Sequence, residues 1–422
     1  MAAIWHPFTQ MKTAKPPIEI IKGCGAYLTA KDGRDYLDAI SSWWVNLHGH
    51  CHPVIAKAIA KQALELEHVL FAGFTHPRAL ELAERLLPLL PGKMNKLFFT
   101  DNGSTAVEVA LKMALQYWHN QNITKNAVIS FKGGYHGDTF GAMSTAGKGT
   151  FNRPFWNYLF DVITITPPTK GNEEQSLEEL KKAISNHEVA CFIFEPLVQG
   201  VAGMKMHSAT ALDGLLKLCH QKGIITIADE VMTGFGRTGS LFATDQTKEK
   251  PSIICLSKGI TGGFLPLGVT ACTTEIYDAF HSDETTKALL HGHSYTANPL
   301  ACASALASLD LLQKADCSLQ RKMIQQSHER FVNKWQKHPK LVRIESMGTI
   351  LAIEYVDDTS SYFSKLKDLL YSFFIEKKVI LRPLGNVVYI LPPYCISQEE
   401  LTYIYETLAL TFEGNLCLTA YA

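Results

Sequence analysis

Strand-like and helix-like segments alternate from about residue 50 to residue 310, and this alternation constrains the fold more than any other feature. The strand-like segments are short apolar runs rich in β-branched residues, at residues 96–100, 127–131, 190–194, 224–228, 253–256 and 268–272. The helical segments between and around them lie at residues 54–67, 78–87, 104–119, 176–186 and 211–221. Apolar strands alternating with helices are typical of a mainly parallel sheet covered on both faces. The sequence therefore predicts an α/β fold.

The two ends of the chain have a different, mixed pattern. Residues 1–45 alternate extended pieces with turns, including a hairpin turn at Lys31–Arg34. Residues 311–422 combine a long helical run at 318–337 with strand-like runs near 341–345 and 350–355. We predict a large α/β domain at residues 46–310 and a smaller α+β domain built from residues 1–45 and 311–422.

The composition excludes several classes of partner. The 422 residues include 40 basic and 40 acidic side chains, which gives a net charge of zero and argues against nucleic acid or an anionic membrane as partner. Residues 1–11 lack a basic region followed by an apolar stretch, so we expect no signal peptide, and no apolar run approaches the length of a membrane span. The ten cysteines form no CxxC pair, as is usual in a reducing compartment. We expect a cytoplasmic protein.

Asp229 and Lys258 follow two of the apolar strand-like runs, at residues 224–228 and 253–256. Open α/β sheets bind ligands at the carboxyl ends of their strands. Pyridoxal phosphate (PLP) needs a lysine that forms a Schiff base with its aldehyde and a carboxylate that keeps its ring nitrogen protonated. The pair therefore suggests a PLP site with Lys258 and Asp229 as its catalytic residues.

Two other segments fit the remaining parts of PLP. Gly103 and Ser104 lie between a strand-like run and a helix, where backbone N–H groups, a hydroxyl and the helix dipole favour a phosphate. An ordinary helix cap explains the same residues. Tyr135 and His136 lie in a glycine-dense loop, from which an aromatic ring can stack on a pyridine. A surface turn is an equal alternative.

Two further motifs do not support a ligand site. Residues 234–239 (GFGRTG) match a dinucleotide-binding motif, but the sequence that follows does not begin a helix. Residues 48–52 (HGHCH) resemble a metal cluster, but they lie in a loop without an obvious further ligand. We therefore expect neither a nucleotide nor a metal.

Taken together, the motifs resemble those of the class III (ω-) aminotransferases, which are fold-type I PLP-dependent transferases. The resemblance rests on motifs in a fixed order, DNGS at 101–104, YHGD at 135–138, DEV at 229–231, GFGRTG at 234–239 and SKG at 257–259. Further segments resemble one branch of the family, which aminates 8-amino-7-oxononanoate in biotin synthesis. They are WHPFTQM at 5–11, SSWW at 41–44, the segment 135–144, RPLG at 382–385 and Tyr389.

The resemblance implies a role for each residue that matches a family motif. Lys258 would carry the Schiff base and move protons, and Asp229 would pair with the ring nitrogen. Tyr135 would stack on the ring and is the third predicted catalytic residue. The other implied cofactor-binding residues are Gly103, Ser104 and His136, joined by His293 and Ser294 of a second subunit in a homodimer.

The implied substrate channel is apolar, with a cation at its far end. Phe8, Trp43, Trp44, Tyr135, Lys258 and Gly292 would line it. Arg382 would bind the distant carboxylate of the substrate, for which a bidentate guanidinium is well suited. Core packing explains Trp43 and Trp44 equally well without the resemblance, and a surface salt bridge explains Arg382.

Two residues depart from the family pattern in the implied substrate site. Phe8 stands where many members have tyrosine, and His293-Ser294 replaces a common Pro-Thr pair. The amino donor, S-adenosylmethionine in most members and lysine in some, is therefore left open. The alternatives are another ω-aminotransferase acting on a diamine or ω-amino acid, an aminomutase or decarboxylase, and a non-catalytic PLP-binding protein.

Overall fold

The computed structural model of the protein describes residues 3–357 and 365–413. The strands are β1 (Ile20–Cys24), β2 (Tyr27–Ala30), β3 (Asp35–Asp38), β4 (Met94–Thr100), β5 (Ala127–Phe131), β6 (Ile163–Ile165), β7 (Val189–Phe194), β8 (Val198–Gln199), β9 (Lys205–Met206), β10 (Ile225–Asp229), β11 (Ile253–Leu256), β12 (Gly268–Thr273), β13 (Leu341–Met347), β14 (Ile350–Tyr355), β15 (Val379–Ile380) and β16 (Val387–Ile390). The helices are α1 (Ser41–Trp44), α2 (Pro53–Glu65), α3 (Pro77–Leu86), α4 (Gly103–Asn120), α5 (Phe140–Thr145), α6 (Glu173–Asn186), α7 (Ala209–Gln221), α8 (Thr274–Asp278), α9 (Pro299–Leu312), α10 (Ala315–Trp335), α11 (Lys365–Glu376) and α12 (Gln398–Glu413).

A seven-stranded sheet forms the centre of the molecule, with the strand order β4-β12-β11-β10-β7-β5-β6. Its neighbouring strands are parallel except where β12 pairs antiparallel with β4 and β11. This mainly parallel sheet confirms the predicted α/β fold.

Helices cover both faces of the central sheet. In β7, Phe192 and Phe194 belong to one buried cluster, which also contains the apolar residues of α7. Cys191 and Ile193 point to the other face and pack in a second cluster with α4. Because successive strand residues point to opposite faces, each strand buried on both sides must be apolar throughout.

The N-terminal and C-terminal segments pair with each other outside the central sheet. β1, β2, β3 and β15 form one sheet, in which β3 from the N-terminal segment pairs parallel with β15. β13, β14 and β16 form another sheet. The predicted hairpin is confirmed, since β2 and β3 are antiparallel.

This pairing supports the small domain predicted from residues 1–45 and 311–422, whose boundaries stay a prediction. The boundary at residue 311 falls inside the last turn of α9. Residues 1–2, 358–364 and 414–422 of that domain lie outside the described residues. Within the described part of the chain, no helix is long and apolar enough to cross a membrane.

The single turn α1 is left-handed. Its four residues Ser41, Ser42, Trp43 and Trp44 have φ angles of 52°, 47°, 80° and 73°. Left-handed backbone costs roughly 1–2 kcal/mol for each residue that is not glycine. Specific contacts must therefore stabilise this turn, which carries both tryptophans of the SSWW segment.

Candidate active site

A cavity of about 710 Å³ opens at the carboxyl ends of β4, β7, β10 and β11. Thr100 at the end of β4 and Leu256 at the end of β11 pair with consecutive residues of β12, which brings the two strand ends together. The lining residues include Trp44, Gly103, Ser104, Tyr135, His136, Glu195, Asp229 and Lys258. Seven of these eight residues were predicted from the sequence to belong to one site.

Asp229 is the last residue of β10 and is held by two hydrogen bonds. His136 Nδ1 lies 2.7 Å from Asp229 Oδ2, and the backbone N–H of Val231 donates to Oδ1 at 3.1 Å. Both His136 and Asp229 are almost fully buried. Since the carboxylate is an acceptor, the imidazole donates through Nδ1–H. These bonds fix the orientation of the carboxylate in the cavity.

Lys258 begins a short turn directly after β11. Its Nζ lies 4.3 Å from the centre of the Trp44 ring. Burial disfavours the charged ammonium and lowers the pKa of Lys258 to about 8, although the charges of Asp229 and Glu195 act in the opposite direction. A lysine with a lowered pKa supplies more neutral amine, which is the nucleophilic form.

Gly103 and Ser104 form the first turn of α4. The side chain of Asn102 caps this helix by accepting a hydrogen bond from the backbone N–H of Thr105 at 3.0 Å. The helix-cap interpretation is thus correct for Asn102, while the N–H groups of the first turn lie beside the cavity. A Cβ atom at Gly103 would come within 2.8 Å of Val231 Cγ1, so this close approach requires glycine.

Tyr135 belongs to the loop after β5 and lines the cavity. Its hydroxyl donates to Asp138 Oδ2 at 2.9 Å, and burial raises the pKa of the phenol well above its usual value. The backbone N–H of Asp138 in turn donates to Ser104 Oγ at 3.2 Å. The loop that carries Tyr135 is therefore joined to the N-terminus of α4.

Glu195 is a site residue that the sequence analysis missed. It follows β7 directly, and its carboxylate accepts hydrogen bonds from the backbone N–H groups of Tyr135 at 3.0 Å and Gly200 at 2.8 Å. Burial raises the pKa of Glu195 to about 7. The available signal was the same as for Asp229, a carboxylate at the end of an apolar strand.

Phe8, Trp43 and Arg382 form a second group of predicted residues, beside the cavity rather than in its lining. The Phe8 and Trp43 rings meet edge to face with centroids 5.7 Å apart. The guanidinium of Arg382 lies 4.6 Å from the centre of the Trp43 ring. Among the described residues, Arg382 has no hydrogen-bond acceptor and no carboxylate partner. The salt bridge considered for Arg382 is therefore not found there.

Gly292, His293 and Ser294 form a third group of predicted site residues, which also lie outside the lining of the cavity. They precede α9. Within the described part of the chain the hydrogen bonds of His293 are local, and its backbone N–H donates to Thr296 Oγ1 at 3.1 Å. The adjoining Tyr295 is 66% exposed. Their proposed contribution to a neighbouring active site stays a prediction.

The two rejected motifs have structural contacts of their own. Arg237 of the GFGRTG segment is buried and donates to the carbonyl oxygen of Pro392 at 2.8 Å. In the HGHCH segment, His50 Nε2 lies 2.9 Å from Asp38 Oδ2, while His48 Nε2 lies 3.2 Å from Ser308 Oγ.

The residues around the cavity fit PLP. A buried carboxylate, a lysine amine and a helix N-terminus surround one space, and these are the groups that its ring nitrogen, aldehyde and phosphate require. His136 Nε2 is buried and has no hydrogen-bond partner among the residues that the structure describes. The close approaches at Gly103 and at Gly137, where a Cβ would lie 2.1 Å from Ser104 Oγ, keep the phosphate end free of side chains.

Comparisons with known proteins agree with this site. The model of the family "Aminotransferase class-III" matches residues 9–412. The adenosylmethionine-8-amino-7-oxononanoate aminotransferase of Synechococcus elongatus is 47% identical over 414 residues, covering 96% of this chain and 97% of that protein. The protein of the same name from Geobacter sulfurreducens is 40% identical, covering 96% and 94%.

Two solved structures have the same fold. The adenosylmethionine-8-amino-7-oxononanoate aminotransferase of Methanocaldococcus jannaschii has a TM-score of 0.91 at 37% identity, covering 96% of this chain and 95% of that one. A PLP-bound amine transaminase from an uncultivated Pseudomonas species also has a TM-score of 0.91, at 30% identity and 98% coverage of both chains. The chain therefore belongs to the class III aminotransferases, and it is a PLP-dependent aminotransferase.

Proposed function

We propose that the protein transfers an amino group to the keto carbon of 8-amino-7-oxononanoate, which gives 7,8-diaminononanoate for biotin synthesis. S-adenosylmethionine is the proposed donor, with lysine as the other candidate. The names of the relatives from Synechococcus and Geobacter support this acceptor. The observation in this chain that carries the proposal is the guanidinium of Arg382 above the Trp43 ring, which has no carboxylate partner among the described residues.

The proposed acceptor needs both an apolar channel and a cation. Its methylene chain has to lie against apolar surface, and its carboxylate has to end at a positive charge. Trp44, next to Lys258, and Trp43, under Arg382, are consecutive residues of α1. The turn α1 thus joins the end of the proposed channel at Lys258 with the end at Arg382. Phe8 adds a second ring beside Trp43, and Gly292 of a second subunit would complete the wall.

PLP, when bound, supplies an electron-accepting ring that stabilises negative charge on the substrate carbon. The side chains around it have separate tasks. Asp229, oriented by His136, would hold a proton on the ring nitrogen, and the first turn of α4 would bind the phosphate. Tyr135 would stack on the ring. Lys258 would move the proton at the substrate carbon, since burial lowers its pKa to about 8 and leaves a basic neutral amine near neutral pH.

We also propose a homodimer in which His293 and Ser294 of each subunit contribute to the other's phosphate site. The position of these residues outside the cavity of their own chain supports this arrangement. So does the exposure of the large apolar side chain of Leu290, which is 74% accessible. The free buried cysteines, such as Cys191 and Cys255, fit the proposed cytoplasmic location.

The test is a single half-reaction. Purified holoenzyme is mixed separately with S-adenosylmethionine and with L-lysine, and the cofactor absorbance between roughly 330 and 420 nm is followed. A shift with S-adenosylmethionine alone, reversed by 8-amino-7-oxononanoate, supports the proposal in full. A shift with lysine retains the acceptor and changes the donor. Response only to ornithine or 4-aminobutyrate overturns the acceptor in favour of another ω-aminotransferase.

A further inference from the structure

The left-handed turn α1 is an unusual way to present two large side chains. Ser41, Ser42, Trp43 and Trp44 all have positive φ angles, between 47° and 80°. Left-handed backbone normally occurs as single residues, most often glycine or asparagine. A run of four without either persists only when the surrounding structure determines it. The two tryptophan rings have contacts of their own, with Phe8 and Tyr389, but the contacts of the two serines act on the backbone that carries the rings.

Asp38 is the main partner of this turn. Its side chain is fully buried, and its Oδ2 accepts a hydrogen bond from Ser42 Oγ at 2.9 Å. Its Oδ1 accepts from the backbone N–H of Ile40 at 3.1 Å, the residue before the turn. Ser41 Oγ donates to the carbonyl oxygen of Leu391 at 2.7 Å. The carboxylate thus fixes the entry to the turn and its second residue.

The position of Asp38 is itself determined by a series of hydrogen bonds between neighbouring side chains. The backbone N–H of Gly49 donates to Asn46 Oδ1 at 2.8 Å, which identifies that atom as the oxygen. Asn46 Nδ2 therefore donates to His50 Nδ1, 3.1 Å away. His50 must then carry its hydrogen on Nε2, from which it donates to Asp38 Oδ2 at 2.9 Å. Each side chain in this series of hydrogen bonds, from Asn46 through His50 to Asp38, thus has a defined partner.

We propose that Asp38 is a positioning residue that acts through Ser42 to hold α1 left-handed. In this way it sets the places of Trp44 beside Lys258 and of Trp43 beneath Arg382. Neither Asp38 nor Ser42 lines the cavity, so the effect is transmitted by the backbone of the turn. The inference rests on the proposed function only in assigning the two rings to the substrate channel.

Two substitutions of Ser42 separate backbone positioning from a direct role of the hydroxyl. Ser42→Ala removes the hydrogen bond to Asp38 and keeps a side chain that disfavours positive φ. Ser42→Gly removes the same bond but makes positive φ easy. We expect Ser42→Ala to raise the KM for the acceptor about tenfold, the effect of losing one hydrogen bond to a charged group, with kcat changed less than about twofold. Ser42→Gly should stay within about threefold of wild type.

A spectroscopic measurement on holoenzyme without substrate gives an independent readout. The near-ultraviolet circular dichroism of the tryptophans should change in Ser42→Ala and be retained in Ser42→Gly, with Trp43→Phe identifying the contribution of that ring. Equal losses in both Ser42 variants overturn the proposal, because the hydroxyl would then act on its own. An alanine variant with the wild-type KM and spectrum overturns it as well.

A double-mutant cycle tests Asp38 itself. Asp38→Asn alone should raise the acceptor KM severalfold. In the Ser42→Gly background it should add less than about twofold, because the hydrogen bond to Ser42 is already gone and the side-chain oxygen of asparagine can still accept from the backbone N–H of Ile40. Fully additive effects overturn the proposal. If the enzyme uses a different acceptor, the KM of that acceptor and the circular dichroism still test the turn, so a failure of the proposed function is recognised separately.

Discussion

Replacement of Arg382 by alanine should remove recognition of the acceptor carboxylate while leaving the fold intact. A bidentate guanidinium–carboxylate pair contains two charge-assisted hydrogen bonds, which together contribute about 3–4 kcal/mol after partial exposure is taken into account. This free energy corresponds to a loss of roughly 10²- to 10³-fold in kcat/KM for 8-amino-7-oxononanoate. Among the described residues, the partner of the Arg382 guanidinium is the Trp43 ring, and this cation–π contact stabilises the fold by about 0.5–1 kcal/mol.

The cost to stability should therefore be small, with the Tm lowered by about 2 °C or less. The assay compares the two half-reactions by stopped-flow absorbance and measures the Tm by calorimetry. Arg382→Lys is the matched control. It keeps the positive charge but not the planar guanidinium, and its kcat/KM for the acceptor should fall about tenfold. Equal losses in the donor and acceptor half-reactions, or a large fall in Tm, would refute the assignment, because Arg382 would then be supporting the site rather than binding the carboxylate.

Three further predictions concern the cofactor. Lys258→Ala should keep the wild-type fold, measured by far-ultraviolet circular dichroism, but show no turnover; substantial activity would contradict its role. Since burial lowers the pKa of Lys258 to about 8, PLP uptake by apoenzyme, measured by absorbance, should accelerate as pH rises to about 8 and then level off. A rise continuing to about pH 10 would mean an ordinary lysine. Gly103→Ala should weaken PLP binding at least about tenfold, because its Cβ would lie 2.8 Å from Val231 Cγ1. The control Gly214→Ala, in an open position of α7, should leave PLP affinity unchanged and stabilise the helix by about 1 kcal/mol.

Local patterns in the sequence were sufficient to predict the central elements. The runs at residues 127–131 and 253–256 coincide with β5 and β11, because an apolar β-branched run between helices has few other stable conformations. The antiparallel direction of β12 was not predicted. The connection from residue 257 to residue 267 carried a signal, since it is shorter than the crossover that a parallel pair needs.

The residues with reactive side chains at the ends of strands were likewise predictable, because the topology of an α/β sheet places the carboxyl ends of its parallel strands at one edge. Asp229, Lys258 and Gly103 were recognised in this way. Glu195 carried the same signal but was overlooked, and its importance follows from bonds to the backbone of Tyr135 and Gly200.

The sequence by itself thus determined the alternation of the main strands and helices, most of the reactive residues at the strand ends and the identity of their chemical groups. Tertiary structure decided how α1 presents Trp43 and Trp44, because a left-handed turn is not favoured by the residues that form it. One of its contacts is long-range, since the hydrogen bond from Ser41 to Leu391 joins residues 350 positions apart. Short-range periodicity carries no information about such a contact, which forms only when the two ends of the chain pack together.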